Sequence, residues 1–189
     1  MKDMQDYREF VRFLSKSGDG RIFLNSDENC ALEVLVEIFQ NAQKEVRIFA
    51  GCLCKHVGNQ PAYVIALSEF IERGGVLKIL LNAYDENAAK ESNLYKRLAY
   101  YKSLNKPITI KSTLAHPYRI GDPEKKEIHF TIGDRKAYRI ETDIEKRTAE
   151  CSLNNPNLAN ITADFFDMLF DKEENTEINI QTLFSDGDK

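Results

Sequence analysis

The chain has 189 residues, 42% of them hydrophobic and 30% charged, which suits one domain with a sizeable core and excludes wholesale disorder. Its net charge of −4 argues against a strongly basic nucleic-acid binder. No apolar run is long enough to span a bilayer, and the charged start Met1-Lys2-Asp3-Met4-Gln5-Asp6 lacks the apolar stretch of a signal peptide, so a cytoplasmic protein with no membrane partner is expected.

Residues 3–16 place Met4, Tyr7, Val11 and Leu14 at helical spacing, an amphipathic helix that Ser17-Gly18-Asp19-Gly20 stops. Residues 21–25 read as a short strand, and Ser26 or Asp27 can cap a helix carrying Leu32, Leu35, Val36 and Phe39 on one face. Residues 45–50 alternate and are β-branched, as a strand would be. Pro61 opens a helix that Gly74-Gly75 end, and 76–82 is nearly all apolar, as expected of a strand covered on both faces. One longer helix is expected over 86–104, with Leu94, Leu98 and Tyr101 on its buried stripe. A strand follows at 108–112 and a loop at 113–126. Two strands, 127–132 and 137–142, then form a hairpin. Residues 143–150 are charged enough to read as a solvated loop, and Asn155-Pro156 opens a last helix carrying Leu158, Ile161, Phe165 and Leu169.

This order predicts an α/β fold: a mixed, mainly parallel sheet with helices on both faces, the hairpin supplying the antiparallel part. Three segments are expected: an N-terminal helix within 1–20, the α/β domain over 21–171, and an acidic tail over 172–189 in which Ile178, Ile180, Leu183 and Phe184 are able to dock.

In a cytoplasmic setting Cys30, Cys52, Cys54 and Cys151 are reduced thiols, and Cys30 and Cys151 read as small apolar fillers. Cys52, Cys54 and His56 lie close together, but a metal needs a fourth ligand and no second Cys/His cluster appears, so neither metal nor cofactor is expected. The charge is uneven. Residues 90–126 hold nine Lys/Arg against three acids, a net +6, which leaves −10 for the remainder. Tyr95-Lys96-Arg97 and Tyr100-Tyr101-Lys102 within that segment suit stacking and phosphate pairing with single-stranded nucleic acid, or else a helix with a core-facing aromatic stripe and a solvated basic face.

The hairpin carries the richest chemistry. Ile128, Phe130 and Ile132 alternate with Glu127, His129 and Thr131, and Tyr138 and Ile140 alternate with Arg139 and Glu141. Pairing apolar with apolar sets Phe130 opposite Ile140 and Ile132 opposite Tyr138, which puts Thr131 opposite Arg139 and His129 opposite Glu141. Asp134-Arg135-Lys136 is then the turn. One sheet face thus gathers an imidazole flanked by carboxylates and a guanidinium able to pair with a phosphate. The alternative is an ion-pair ladder on an exposed sheet face.

With these residues in place, the chain resembles the phospholipase D superfamily over residues 21–171. The resemblance rests on the element order, on Glu72-Arg73-Gly74-Gly75-Val76-Leu77-Lys78-Ile79-Leu80-Leu81, and on 127–150 followed by Asn155-Pro156 and the helix ending Phe165-Phe166-Asp167-Met168-Leu169-Phe170. The family's motif is H-x-K-x4-D followed by G-S-x-N. Its histidine attacks phosphorus, its lysine and asparagine hold the phosphate oxygens, and a second histidine from another half or subunit protonates the leaving group. Here, with Asp134 as the motif's aspartate, Glu127 takes the histidine position and His129 the lysine position. Glu141 and Thr142 then lie over the glycine and serine, and Ile144 over the asparagine. With His129 as the histidine instead, Thr131 replaces the lysine and Lys136 falls at the aspartate. The first alignment keeps Asp134 at its turn without a gap.

The resemblance implies a homodimer, since one chain holds one motif. Three functions follow as expectations. One is a binding or regulatory domain with a degenerate site in a dimer groove, taking an anionic ligand such as a phosphodiester or single-stranded nucleic acid. Another is a divergent phosphodiesterase or nuclease using His129, with Glu127 and Glu141 beside it and Arg139, Thr131, Asp134 and Thr142 on the phosphate. The third is a dimerising scaffold.

Overall fold

The computed structural model describes residues 4–119 and 121–184. Asp3, where the first helix was expected to begin, and the end of the acidic tail past Phe184 lie outside the described residues. In chain order the elements are α1 (Met4–Ser17), β1 (Phe23–Asn25), α2 (Glu28–Asn41), β2 (Glu45–Ala50), α3 (Pro61–Glu72), β3 (Val76–Leu81), α4 (Glu86–Glu91), α5 (Asn93–Ser103), β4 (Ile108–Ser112), β5 (Phe130–Gly133), β6 (Ala137–Asp143), β7 (Thr148–Ser152), α6 (Pro156–Phe170) and β8 (Thr176–Glu177). No helix among the described residues is long and apolar enough to cross a membrane.

The eight strands form one mixed sheet in the order β1-β7-β6-β5-β2-β3-β4-β8. Helices cover both faces, as the alternation of elements predicts. Parallel pairing is confined to β2–β3 and β3–β4, and the other five pairings are antiparallel. The parallel share is smaller than expected for two reasons. β1 runs antiparallel along β7 at one border instead of joining β2, and the tail returns as β8 against β4 at the other. Ile180, beyond β8, is 2% exposed and packs into the core beneath α3 and α5.

α1, α2, α3 and α5 lie over one face, against Phe23, Ile48, Ile79, Ile110 and Cys151. α6 lies over the other, where Ala159, Ala163 and Phe166 meet Phe49, Phe130, Tyr138 and Ile140. The caps are local. Asp27 accepts the Cys30 N–H to start α2, and Asn155 accepts from Leu158 to start α6, with Pro156 in the first turn.

Two expectations are corrected. The helix expected over 86–104 breaks at Ser92, because the Asn59 carboxamide oxygen accepts from both the Ser92 hydroxyl and the Asn93 N–H, in place of a helix carbonyl. The loop expected over 143–150 ends early: Thr148–Ser152 is β7, an inner strand between β1 and β6. Ala149 and Cys151 supply its buried alternation, which the charged residues before them conceal.

Candidate functional site

The ends of β2, β3 and β4 share one edge of the sheet with the start of β5 and the end of β6. Carboxyl ends of parallel strands are where α/β sheets present side chains to ligands. This edge holds all three histidines of the chain, each in or beside a strand-end loop.

The hairpin register is the one the alternation predicts. Phe130 pairs with Ile140, Thr131 with Arg139 and Ile132 with Tyr138, and the Glu141 N–H donates to the His129 carbonyl at 2.8 Å. Glu127, His129, Thr131, Arg139 and Glu141 therefore share a face, the one beneath α2 and α3. That face is covered, so an exposed ion-pair ladder does not describe it: the side chains of Arg139 and Glu141 are 5% and 3% exposed.

These groups form an alternating chain of rings and acids. His116 Nδ1 lies 2.5 Å from Glu127 Oε2, and Glu127 Oε1 lies 3.1 Å from His129 Nε2. On the other side of the ring, His129 Nδ1 is 3.2 Å from Glu141 Oε2, an ion-pair distance at which hydrogen-bond geometry is not met. Glu141 Oε1 accepts from Arg139 Nη1 at 3.0 Å and Arg147 Nη1 at 3.4 Å. The Asn82 side-chain amide, one residue past β3, steadies the outer end by donating to Glu127 Oε1 at 2.8 Å and to the Ala115 carbonyl.

Burial acts to raise the Glu141 carboxyl, and the His129 and Arg139 contacts outweigh it, so the group is held below the ordinary value of 4.5. At Glu127 burial again acts upward, and bonds from Asn82 and His116 with the charge of His129 carry the carboxyl below 4.5. Both carboxylates are therefore acceptors.

Arg139 is committed within the protein. Its Nε donates to the Asn25 side chain, its Nη1 to Glu141 and its Nη2 to the Arg147 carbonyl. Asn25, 1% exposed, also donates to that carbonyl. Arg147 meets both through a left-handed backbone, φ 59°.

The remaining expected residues lie elsewhere. Asp134 is at the far end of β5, where its carboxylate accepts the N–H groups of Gln43, Lys44 and Glu45 at 2.6–2.9 Å. It organises a turn and does not join His129. Thr142 is exposed on the opposite side of β6 from Glu141, with its hydroxyl 3.0 Å from that of Thr148. In the basic segment Tyr95 and Tyr101 are core residues, while the Tyr100 and Tyr118 rings are exposed. Sequence reasoning missed His116, Asn82, Arg147 and Asn25. The one signal for His116 is that histidine is scarce here and the other two also follow or precede strands.

A cleft of about 330 Å³ adjoins His129 on the α2 face. The loop from Gly51 to Gly58 forms one wall. It is closed tightly on itself: Leu53 and His56 are left-handed, at φ 57° and 55°, and a Cβ on Gly58 would stand 2.5 Å from the Leu53 carbonyl oxygen. Cys52 and Cys54 lie in this loop. Burial, then the neighbouring Cys52, pushes the Cys54 thiol up to about 12, so it is an inert packing group.

No family model and no curated protein matches the sequence. Solved structures do match its backbone. TrmBL2, an archaeal chromatin protein with a novel mode of DNA binding, is 12% identical with a TM-score of 0.59 over 92% of this chain, which spans 61% of that protein's chain. Nuc from Salmonella typhimurium, a phospholipase D family member, is 14% identical with a TM-score of 0.53, covering 84% of this chain and 99% of its own. NucT from Helicobacter pylori is 11% identical with a TM-score of 0.53, covering 80% and 96%. On backbone geometry, then, the chain has a phospholipase D-like fold.

Proposed function

We propose that this chain is a cytoplasmic, phospholipase D-like binding domain with a degenerate phosphodiesterase centre, acting as a regulatory module that recognises an anionic ligand in a groove completed by a second copy. Residues 21–171 are the phospholipase D-like unit of this proposal, with the N-terminal helix and the acidic tail attached to it.

One observation carries the loss of catalysis. His129 meets a carboxylate at each ring nitrogen, 3.1 Å from Glu127 and 3.2 Å from Glu141. Both carboxylates are held in the accepting, ionised form. Carboxylates standing at both ring nitrogens repel an anionic phosphodiester from the approach that a nucleophilic imidazole needs. Arg139, the expected phosphate clamp, is already bound on all three of its nitrogens. Retained cations around the cleft support binding: Lys55, Arg139 and Arg147 line it, against Glu141 as the one acid. The fold shared with a DNA-binding chromatin protein is consistent with an anionic partner.

The test compares wild type with His129→Ala. Both are expected to leave bis-p-nitrophenyl phosphate and single-stranded DNA intact, while a 5′-phosphorylated oligonucleotide raises the melting temperature of the wild type. Hydrolysis that His129→Ala abolishes would establish the competing function, a divergent phosphodiesterase using His129. Sedimentation at micromolar concentration reads the dimer.

A further inference from the structure

The cleft beside His129 has a divided lining. Ala31 and Leu35 of α2, Ile48 of β2 and Val57 of the Gly51–Gly58 loop give it apolar walls. Within it, Thr131 and Tyr63 are 6% and 1% exposed, and neither hydroxyl has a hydrogen-bond partner among the described residues. Water in the cleft can serve hydroxyls that no protein group engages, and a ligand there can take its place. The charges sit differently. Lys55 is exposed at the mouth with no ion pair among the described residues, and the Arg147 side chain is 28% exposed. Three cations against one carboxylate give the lining +2 before any histidine is protonated.

Apolar walls with hydroxyls inside select a compact, mostly apolar group whose edge makes a few hydrogen bonds. Arg139 is buried in its pair with Glu141, which leaves Lys55 and Arg147 as the cations of the lining that reach solvent, and these select an anion held a short distance away. A volume of about 330 Å³ is at the small end of ligand clefts, enough for one such group and not for a run of them. From this division of the lining we propose that the cleft takes one nucleoside monophosphate, its heterocycle inward against Leu35 and Ile48, its hydrogen-bonding edge at Thr131 and Tyr63, and its phosphate at Lys55 and Arg147. The nucleotide is either free or the phosphorylated end of a strand. This ligand class rests on the anion-binding function proposed above. Hydroxyls rotate and both donate and accept, so discrimination among bases is weak.

Titration calorimetry on the full chain tests it with AMP, GMP, CMP and UMP, with ribose 5-phosphate and inorganic phosphate, and with a 5′-phosphorylated trinucleotide. The four monophosphates are expected to bind within a few-fold of one another and at least about tenfold more tightly than ribose 5-phosphate. Thr131→Val removes one hydrogen bond and weakens them about three- to tenfold. Lys55→Glu, on the exposed mouth, weakens every phosphate-bearing ligand, and Leu35→Trp fills the slot and abolishes monophosphate binding. Should Leu35→Trp fail to fold, the other two variants still decide. Equal affinity for ribose 5-phosphate and the monophosphates, or full affinity in Thr131→Val, would overturn the heterocycle site while leaving anion binding standing. No binding of any phosphate would overturn both. A trinucleotide that binds while free monophosphates do not assigns the site to strand ends; the reverse assigns it to free nucleotides.

Discussion

At the turn of the β5–β6 hairpin, Asp134 accepts three backbone N–H groups, and Arg135 divides its guanidinium between Asp164 and Asp167. At the open end, Glu127, His129 and Glu141 interlock just as closely, but the Thr131 and Tyr63 hydroxyls and the Lys55 ammonium beside them stay unspent. Both ends are rich in charge on the same two strands. At the turn, Asp134 and Arg135 have their side chains matched internally and hold the fold together. The open end has a surplus, and a surplus in a concave, partly apolar setting is what a ligand can complete. Ionic density alone does not separate a brace from a binding site; the unmatched groups do.

The comparison breaks most sharply at Arg139. Replacing it with Ala leaves Glu141 buried without its main partner and is expected to cost about 3–5 kcal/mol in urea unfolding, with loss of phosphate-ligand binding as well. Stability within 1 kcal/mol of wild type would show that the open end carries no buried pair of consequence. At the turn, Asp134→Ala strips the acceptor from three N–H groups and is expected to cost about 2–3 kcal/mol while leaving ligand affinity unchanged, read by urea unfolding and calorimetry on the same samples. Weaker ligand binding in that variant would erase the distinction between the two ends. The smallest effect is the most gradual. Glu127 and Glu141 titrate below 4.5 in the folded chain, so the stability they supply is complete above that value and drains away as pH falls through their lowered folded values. The urea midpoint is expected to drop over that acid range and to drop less in Glu141→Gln.

The open end was legible in sequence to the extent that it obeys a period of two. Alternation of Ile128, Phe130 and Ile132 with Glu127, His129 and Thr131 fixed which side chains share a face and which residue opposes which. It left undecided whether that face was covered, because coverage depends on α2, nearly a hundred residues away in the chain. His116 was out of reach for a different reason: it sits in an aperiodic loop, and the bridge from Tyr118 to Glu127, on the way from β4 to β5, brings it to that carboxylate. The break at Ser92 was set in part from a distance, by Asn59, at a Ser-Asn pair whose side chains suit the start of a new helix. Thr148–Ser152 escaped notice because a five-residue inner strand with two small apolar residues, Ala149 and Cys151, looks like the end of a charged loop.

The sheet's two borders are its shortest members, three residues at β1 and two at β8. A stray strand meeting either margin finds only a few amide groups to zip against, and Leu24 on β1 is its main greasy foothold, 71% exposed. Polymerisation through the margins is therefore disfavoured by brevity, and a tag or fusion that extended β1 as a regular strand would undo that protection.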